Sequence, residues 1–294
     1  MPEILVISGK GGTGKTSLTA AFAHLAQEQV ICDLDVDAPD LHLLLRPQHQ
    51  RVEEFISGHE AVIDPQRCSD CGLCQKMCRY RAIERVEGLP RVIPNRCEGC
   101  KVCVHFCPEQ AIDFPQSHCG TWYISQTRFG PMVHARLLPG AENSGHLVAL
   151  LRDQAKELAQ NQGRRTIICD GTPGIGCPVI SSLSGTDLAV VVTEPTPSGR
   201  HDLERVMELC RHFRVPAAVI INKADLNPDQ SREIEAYCRR EEITLAARLP
   251  FDPAMTQAML EGKAITEYQD NGLAGRIGQA WQIINQMAQE AVKD

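Results

Sequence analysis

The sequence predicts an α/β protein, a mainly parallel, doubly wound sheet interrupted by a small α+β insert. Three observations carry that expectation. Short aliphatic runs of strand length alternate with helix-like stretches, a glycine-rich loop follows the first run, and eight of the 14 cysteines crowd between Cys68 and Cys107. The runs are residues 3–8, 166–169, 188–193 and 217–221, and their near-continuous hydrophobicity suits strands covered on both faces. Residues 144–160 and 201–212 read as helices between them, with Asn143 or Ser144 capping the first. Such alternation builds a parallel sheet. The cysteine block is then an insertion, and the domain plan is 1–60, an insert at 61–115, and 116–294.

Composition narrows the function. With 294 residues and 43% hydrophobic content the chain is globular, and its length suggests two domains of roughly 150 residues each. A formal net charge of −7 argues against a sequence-independent grip on nucleic acid. No apolar run approaches the ~18 residues of a membrane span. No basic segment precedes the first apolar run, as a secretory signal would require. A cytoplasmic location is expected, and stable disulfides are disfavoured there. The 14 Cys exceed the 7 Phe, 4 Tyr and 2 Trp combined, and so point to metal.

Gly9-Lys10-Gly11-Gly12-Thr13-Gly14-Lys15-Thr16 fits G-x-x-x-x-G-K-[ST] between a strand-like run ending at Ser8 and an Ala/Leu-rich stretch at 17–26. Strand, glycine loop and helix together are the context of a phosphate-binding loop. Backbone N–H groups from Gly9 to Ser17 would turn toward phosphates, aided by the helix dipole. Lys15 would reach the β- and γ-phosphates and the Thr16 hydroxyl would ligate Mg²⁺. A plain glycine turn with a surface lysine would not require all eight positions and both flanks.

The second lysine, Lys10, makes this loop resemble the deviant form seen in the MinD/ParA/nitrogenase-iron-protein superfamily. That resemblance implies that Lys10 reaches across a dimer to the partner's nucleotide, in a homodimer or a heterodimer of paralogues. Val30-Ile-Cys-Asp-Leu-Asp-Val-Asp37 is similar to the superfamily's second strand, which implies that Asp35 positions the attacking water, with Asp33 and Asp37 near Mg²⁺ and the switch. Thr166-Ile-Ile-Cys-Asp-Gly-Thr-Pro-Gly174 resembles the Walker B strand and second switch. Asp170 would hold a Mg²⁺-bound water and the Gly174 amide would meet the γ-phosphate, while Thr172 replaces a usual proline. The implied catalytic set is Lys10, Lys15, Asp35 and Asp170. Asn222-Lys223-Ala224-Asp225 also matches the guanine-reading motif of GTPases. In MinD-like relatives the asparagine contacts adenine, helped by a loop resembling Leu249-Pro250-Phe251-Asp252-Pro253. ATP and ADP are therefore expected at Asn222 and Pro250, with GTP the alternative.

Cys68-x₂-Cys71-x₂-Cys74-x₃-Cys78 is followed by Cys97-x₂-Cys100-x₂-Cys103-x₃-Cys107-Pro108, the bacterial two-cluster ferredoxin pattern. In it, three close thiolates are completed by a fourth from the opposite repeat. One [4Fe–4S] cluster is expected on Cys68, Cys71, Cys74 and Cys107, the other on Cys78, Cys97, Cys100 and Cys103. Zinc would not need the third C-x₂-C step. The first repeat ends Cys78-Arg79 instead of Cys-Pro, which loosens that turn and adds positive charge that would raise the neighbouring potential.

The whole chain resembles MinD-superfamily P-loop ATPases that carry an inserted ferredoxin domain, including Gly120-Thr-Trp-Tyr-Ile-Ser-Gln-Thr-Arg-Phe-Gly-Pro and Glu194-Pro-Thr-Pro-Ser-Gly-Arg-His-Asp-Leu. Such relatives are associated with metal-cluster assembly and with small proteins resembling nitrogenase cofactor-binding domains, so an acceptor of that kind is implied. The expected function is a slow ATPase coupling nucleotide to electron transfer or cluster delivery. The alternative is a MinD- or ParA-type positioning ATPase with a redox-sensing module. Ile277, Trp281 and Ile284 fall at helical spacing near a C-terminal end with few basic residues, which reads as a core-docking helix rather than a membrane anchor. In the related nitrogenase iron protein, a cysteine seven residues after the Walker B aspartate ligates a cluster shared between subunits. Cys177 stands at that interval, and with Cys119 it would form a labile interfacial metal site. The plainer alternative is packing.

Overall fold

The structure is a computed structural model that describes residues 1–141 and 143–292. Among these residues one sheet contains β1 (Glu3–Ser8), β2 (Gln29–Asp33), β3 (Gln48–His59), β4 (Gln116–Thr127), β5 (Gly130–Leu137), β6 (Thr166–Pro173), β7 (Leu188–Thr193), β8 (Ala217–Ile221) and β9 (Thr244–Arg248). Their spatial order is β9-β8-β7-β1-β6-β2-β5-β4-β3. Every pairing from β9 across to β5 is parallel. All residues of β1 and β7 are buried, as their unbroken apolar runs imply. β6 lies between β1 and β2, and its register sets Cys169 beside Cys32 and Asp170 beside Asp33. The carboxyl ends of β1, β2 and β6 therefore share one edge, where ligands of open α/β sheets bind.

The chain divides into two compact units. The first holds residues 1–53, 122–136 and those from Ser144 onward. Its core joins Ile4, Val6 and Val190 of the sheet to Leu18 and Phe22 of the helix Lys15–Leu25. Ile277, Trp281 and Ile284 of the helix Leu273–Ala291 close the same cluster, with Trp281 stacked on Phe22 at 5.4 Å. That helix is core, as its spacing implied. A second buried feature is ionic. Arg152 of the helix Ser144–Asn161 pairs with Glu3 and donates to the carbonyls of Ser181 (2.8 Å) and Ser184 (2.6 Å) and to the Thr186 hydroxyl (3.2 Å). Burial alone would lower the guanidinium pKa, but the Glu3 carboxylate outweighs it and raises it.

The second unit comprises Glu54–Thr121 and Leu137–Asn143, wider than the expected 61–115 on both sides. It is built as a repeat. The short helices Leu73–Met77 and Val102–His105 each follow a Cys-x₂-Cys turn. Val62–Ile63 pairs antiparallel with Ile112–Asp113, and Ile83–Val86 with Leu89–Val92. The two halves share three left-handed backbone positions. Left-handed φ values recur at Asp70 (56°) and Gly99 (57°), at Gly72 (70°) and Lys101 (64°), and at Arg81 (53°) and Gln110 (50°). Glycine is required at 99 for a second reason, since a Cβ there would lie 2.6 Å from the His59 carbonyl oxygen.

In the first unit, His134 of β5 is only 5% exposed. Its Nε2 lies 2.9 Å from Ser125 Oγ, which is itself 2.9 Å from His49 Nδ1, and Tyr123 stacks on both rings. Burial, with the neighbouring His49 and His42, pushes its pKa down to about 4. A histidine depressed on folding contributes stability that is complete above its unfolded pKa of roughly 6.5 and is lost as pH falls toward the folded value. Lowering pH from 7 to 4 should thus cost the first unit about 2–3 kcal/mol through this group. Denaturant titrations of the parent and His134→Gln should show that the variant loses most of this pH slope; an unchanged slope would refute the assignment.

Candidate functional site

The loop from Gly9 to Thr16 wraps the start of the helix Lys15–Leu25. Gly12 and Gly14 adopt φ of 79° and 90°, which side chains resist. Gly9 is demanded by contact, since a Cβ would come 2.3 Å from Asp202 Cβ. Lys15 Nζ lies 2.9 Å from Asp170 Oδ1 and 3.5 Å from Asp35 Oδ2. Thr16 Oγ1 donates to Asp170 Oδ2 at 2.7 Å, and Thr19 Oγ1 to Oδ1 at 2.9 Å. Burial would lower the Lys15 pKa, but the Asp170 and Asp35 carboxylates outweigh it and raise it. Burial raises Asp33 well above the carboxylate range, with Asp170 adding to the shift. Burial likewise raises Asp35, against the pull of Lys15.

Gly12, Gly14, Lys15, Thr16 and Asp35 line an open cavity of about 480 Å³, together with Ser17, Pro173, Asn222, Pro250 and Phe251. Three buried polar atoms on the surrounding segments lack a partner among the described residues: Thr13 Oγ1, Asp33 Oδ2 and Thr172 Oγ1. Orphaned oxygens beside a lysine and glycine amides fit a polyphosphate with its divalent cation. Thr16, Asp35 and Asp170 are the residues that would hold Mg²⁺ or its waters.

Four expected residues sit in unexpected company. Lys10 pairs with Glu194 Oε2 of its own chain at 3.3 Å and reaches Thr196 Oγ1 at 3.4 Å. The Gly174 amide donates to the Ser8 carbonyl at 2.8 Å. Asn222 Nδ2 donates to the Thr13 carbonyl at 2.8 Å, and its Oδ1 accepts from the Lys223 amide at 3.0 Å. Asp225 accepts the Phe251 amide, tying down the loop that carries Pro250. The Asn-Lys-x-Asp segment thus braces the phosphate loop. Lys223 adds to that brace through the Gly12 carbonyl (3.2 Å) and Glu194. Lys223 and Lys10 lower the Glu194 pKa against its burial. Sequence reading missed Thr19 and Glu194, although Thr19 stands one helical turn after Lys15.

In the second unit the cysteines gather as two quartets. Cys68, Cys71, Cys74 and Cys107 line one small pocket, and Cys78, Cys97, Cys100 and Cys103 another. Burial raises the Cys74 pKa, and charges on Cys68, Cys71 and Cys107 raise it further. Burial pushes Cys103 up to about 11, helped by Cys97 and Cys100. Backbone amides of Asp70, Ala82 and Ala111 donate to the sulfurs of Cys68 (3.4 Å), Cys78 (3.3 Å) and Cys107 (3.3 Å). All fourteen cysteines are free of disulfides. Cys177 is exposed and opens the helix Cys177–Leu183 in the first unit. Cys119 is buried in the second, its thiol donating to the Ser57 carbonyl at 3.0 Å.

A glycine loop, a buried lysine and convergent carboxylates at the carboxyl edge of a parallel sheet define a nucleotide-binding α/β protein. The chain belongs to the CobQ/CobB/MinD/ParA nucleotide binding domain family, whose model matches residues 4–265. It is 36% identical over 228 residues to an uncharacterized protein of Methanocaldococcus jannaschii, covering 76% of this chain and 79% of that one. Over 90 residues, 26% of this chain and 29% of the other, it is 29% identical to the cytosolic Fe-S cluster assembly factor Nubp1 homolog of Drosophila grimshawi. The fold is similar to that of the septum site-determining protein MinD of Pyrococcus horikoshii complexed with Mg-ADP, with TM-score 0.57 and 16% identity over 100% of this chain and 99% of that one. No helix of the described residues is long and apolar enough to cross a membrane.

The brace can be tested. Asn222→Ala removes one hydrogen bond to the loop, about 1 kcal/mol or more for a buried partner. Affinity for a fluorescent ADP analogue should fall about tenfold, with the melting temperature little changed. Unaltered affinity would show that the loop holds its shape without Asn222.

Proposed function

We propose that this protein is an ATP-switched iron–sulfur protein that couples ATP binding and hydrolysis to electron transfer or cluster delivery to a partner. The observation that carries this reading is the composition of the two cysteine quartets. Each takes three thiols from one repeat and the fourth from the other, inside a unit whose sequence interrupts a nucleotide-binding domain. Among the described residues no three His, Cys, Asp or Glu side chains converge as one ion requires. Four thiolates on four different irons of a cubane need not converge, so the quartets suit [4Fe–4S] groups. Such groups would supply one-electron storage. The fourteen free thiols favour a reducing, cytoplasmic setting.

At the nucleotide, Lys15 would exchange its carboxylate partners for β- and γ-phosphate oxygens. Thr16 would turn its hydroxyl to Mg²⁺, with Asp170 accepting from a water of that ion. Asp35, half-buried and raised in pKa, would orient the attacking water. Lys10 would leave Glu194 and reach the nucleotide of a second copy or a paralogue, so that the dimer forms around ATP. Adenine is favoured over guanine because Asp225, the guanine reader of the GTPase motif, is committed to Phe251. An acceptor resembling nitrogenase cofactor-binding domains suits the proposed delivery. Cys177, exposed beyond the Asp170 loop, could join a shared metal site, whereas Cys119 would first have to give up its bond to Ser57. The positioning-ATPase alternative is weakened by the C-terminal helix, whose apolar face is consumed by the core.

Anaerobically purified protein should carry about eight irons and eight sulfides per chain. Cys71→Ser should lose about half of each, and a zinc-only preparation after anaerobic reconstitution would sink the reading.

Lys15→Ala should lose nucleotide binding, whereas Asp35→Ala should bind ATP without cleaving it and remain dimeric on gel filtration. Normal hydrolysis by Lys10→Ala would eliminate the cross-dimer role, and a preference for GTP would overturn the base assignment.

A further inference from the structure

The repeat within the second unit allows one end of it to be compared with the other. Cys74-Gln-Lys-Met-Cys78-Arg-Tyr-Arg-Ala-Ile83 superposes in sequence on Cys103-Val-His-Phe-Cys107-Pro-Glu-Gln-Ala-Ile112. The backbones agree closely. Arg81 donates to the Cys78 carbonyl at 3.2 Å as Gln110 does to that of Cys107, and Ala82 and Ala111 each donate to a cysteine sulfur at 3.3 Å. The chemistry does not agree. One end presents Lys76, Arg79 and Arg81 around the exposed Met77 and Tyr80, while the other presents His105, Pro108, Glu109 and Gln110 around the exposed Phe106, so the two ends differ in charge and in Tyr80.

The basic end is unneutralised. Arg67, Arg85 and Arg96 of the same unit are ion-paired with Asp64 and Asp113, Asp70 and Glu84. Among the described residues Lys76, Arg79 and Arg81 have no carboxylate partner in any ion pair. No acidic residue lies between Gln75 and Ala82. The unit Glu54–Thr121 with Leu137–Asn143 holds eight Lys and Arg against ten Asp and Glu, so the positive charge is local to this end. Tyr80 links this surface to the interior, because it is 45% exposed and also lines the cavity of Cys78, Cys97, Cys100 and Cys103.

We infer that Lys76, Met77, Arg79, Tyr80 and Arg81 form the docking surface for an acidic one-electron carrier protein. This deepens the iron–sulfur reading above and rests on it for the purpose of docking. Complementary charge would steer the carrier and fix its orientation, while Met77 and Tyr80 supply the desolvated centre. Cys78, Cys97, Cys100 and Cys103, whose pocket Tyr80 lines, would hold the group that exchanges one electron with the carrier, one being oxidised as the other is reduced and no bond changing. A nucleic acid would also meet basic and aromatic side chains, but the acidity of the whole chain repels it.

The test is binding of a small acidic FMN flavoprotein to the full chain, by titration calorimetry at low salt and at about 0.3 M salt. The parent should bind, weakening about tenfold or more in the higher salt. Arg79→Glu with Arg81→Glu should lower low-salt affinity at least about tenfold, and the milder Lys76→Gln with Arg79→Gln about threefold. Glu109→Lys, at the equivalent end, should change nothing beyond about twofold. Parent-like binding by both double variants, salt-insensitive binding, no binding by the parent, or tighter binding of a single-stranded oligonucleotide would each overturn the proposal. Iron and sulfide are measured on the same samples. Patch-dependent binding by iron-free, reconstitution-resistant protein would refute the iron–sulfur reading alone, and iron-loaded protein with patch-independent binding would refute the docking surface alone.

Discussion

The carboxylate of Asp170 is the interaction on which the rest of the first unit depends. It is fully buried, and it accepts from Lys15, Thr16 and Thr19, three residues of one helical turn. A buried carboxylate without partners would be prohibitive, and these donors together with a positive charge make it tolerable. In return they align the glycine loop with β6, and through the β6–β2 register they bring Asp33 and Asp35 to the same edge. Asn222 and Lys223 complete the frame from the opposite side by holding the carbonyls of Thr13 and Gly12.

The second unit rests on a different constraint. Its strands are two to four residues long where they belong to it alone, and its helices four or five, too little to build a deep core. Domains that small need cross-links of some kind. The backbone devotes its left-handed turns and its amide donors to the cysteines instead, so the two cavities are the centres around which the chain is arranged.

Much of this was legible because spacing along the chain is a local property. The glycine loop, the cysteine quartets and the apolar stripe of Ile277, Trp281 and Ile284 all depend on intervals within one segment. Partners distant in sequence were less legible. Asn222 is expected at the base, and the fold also sets its amide on the Thr13 carbonyl, a partner 209 positions away that no local interval shows. Glu194 stood within a quoted segment without a role, because only the fold brings it to Lys10. The insert is expected at 61–115, and the second compact unit also takes in residues 54–59 of β3 and 116–121 of β4, whose single cysteine, Cys119, stands outside the Cys-x₂-Cys spacing.

Arg152 has a mechanical meaning. Its guanidinium grips the carbonyls of Ser181 and Ser184 at the trailing end of the helix Cys177–Leu183, while the leading end is joined to β6 through Gly174, Ile175 and Gly176. The bonds from Arg152 therefore anchor the end of that helix farther from Cys177, and tie it to the same guanidinium that pairs with Glu3 of β1.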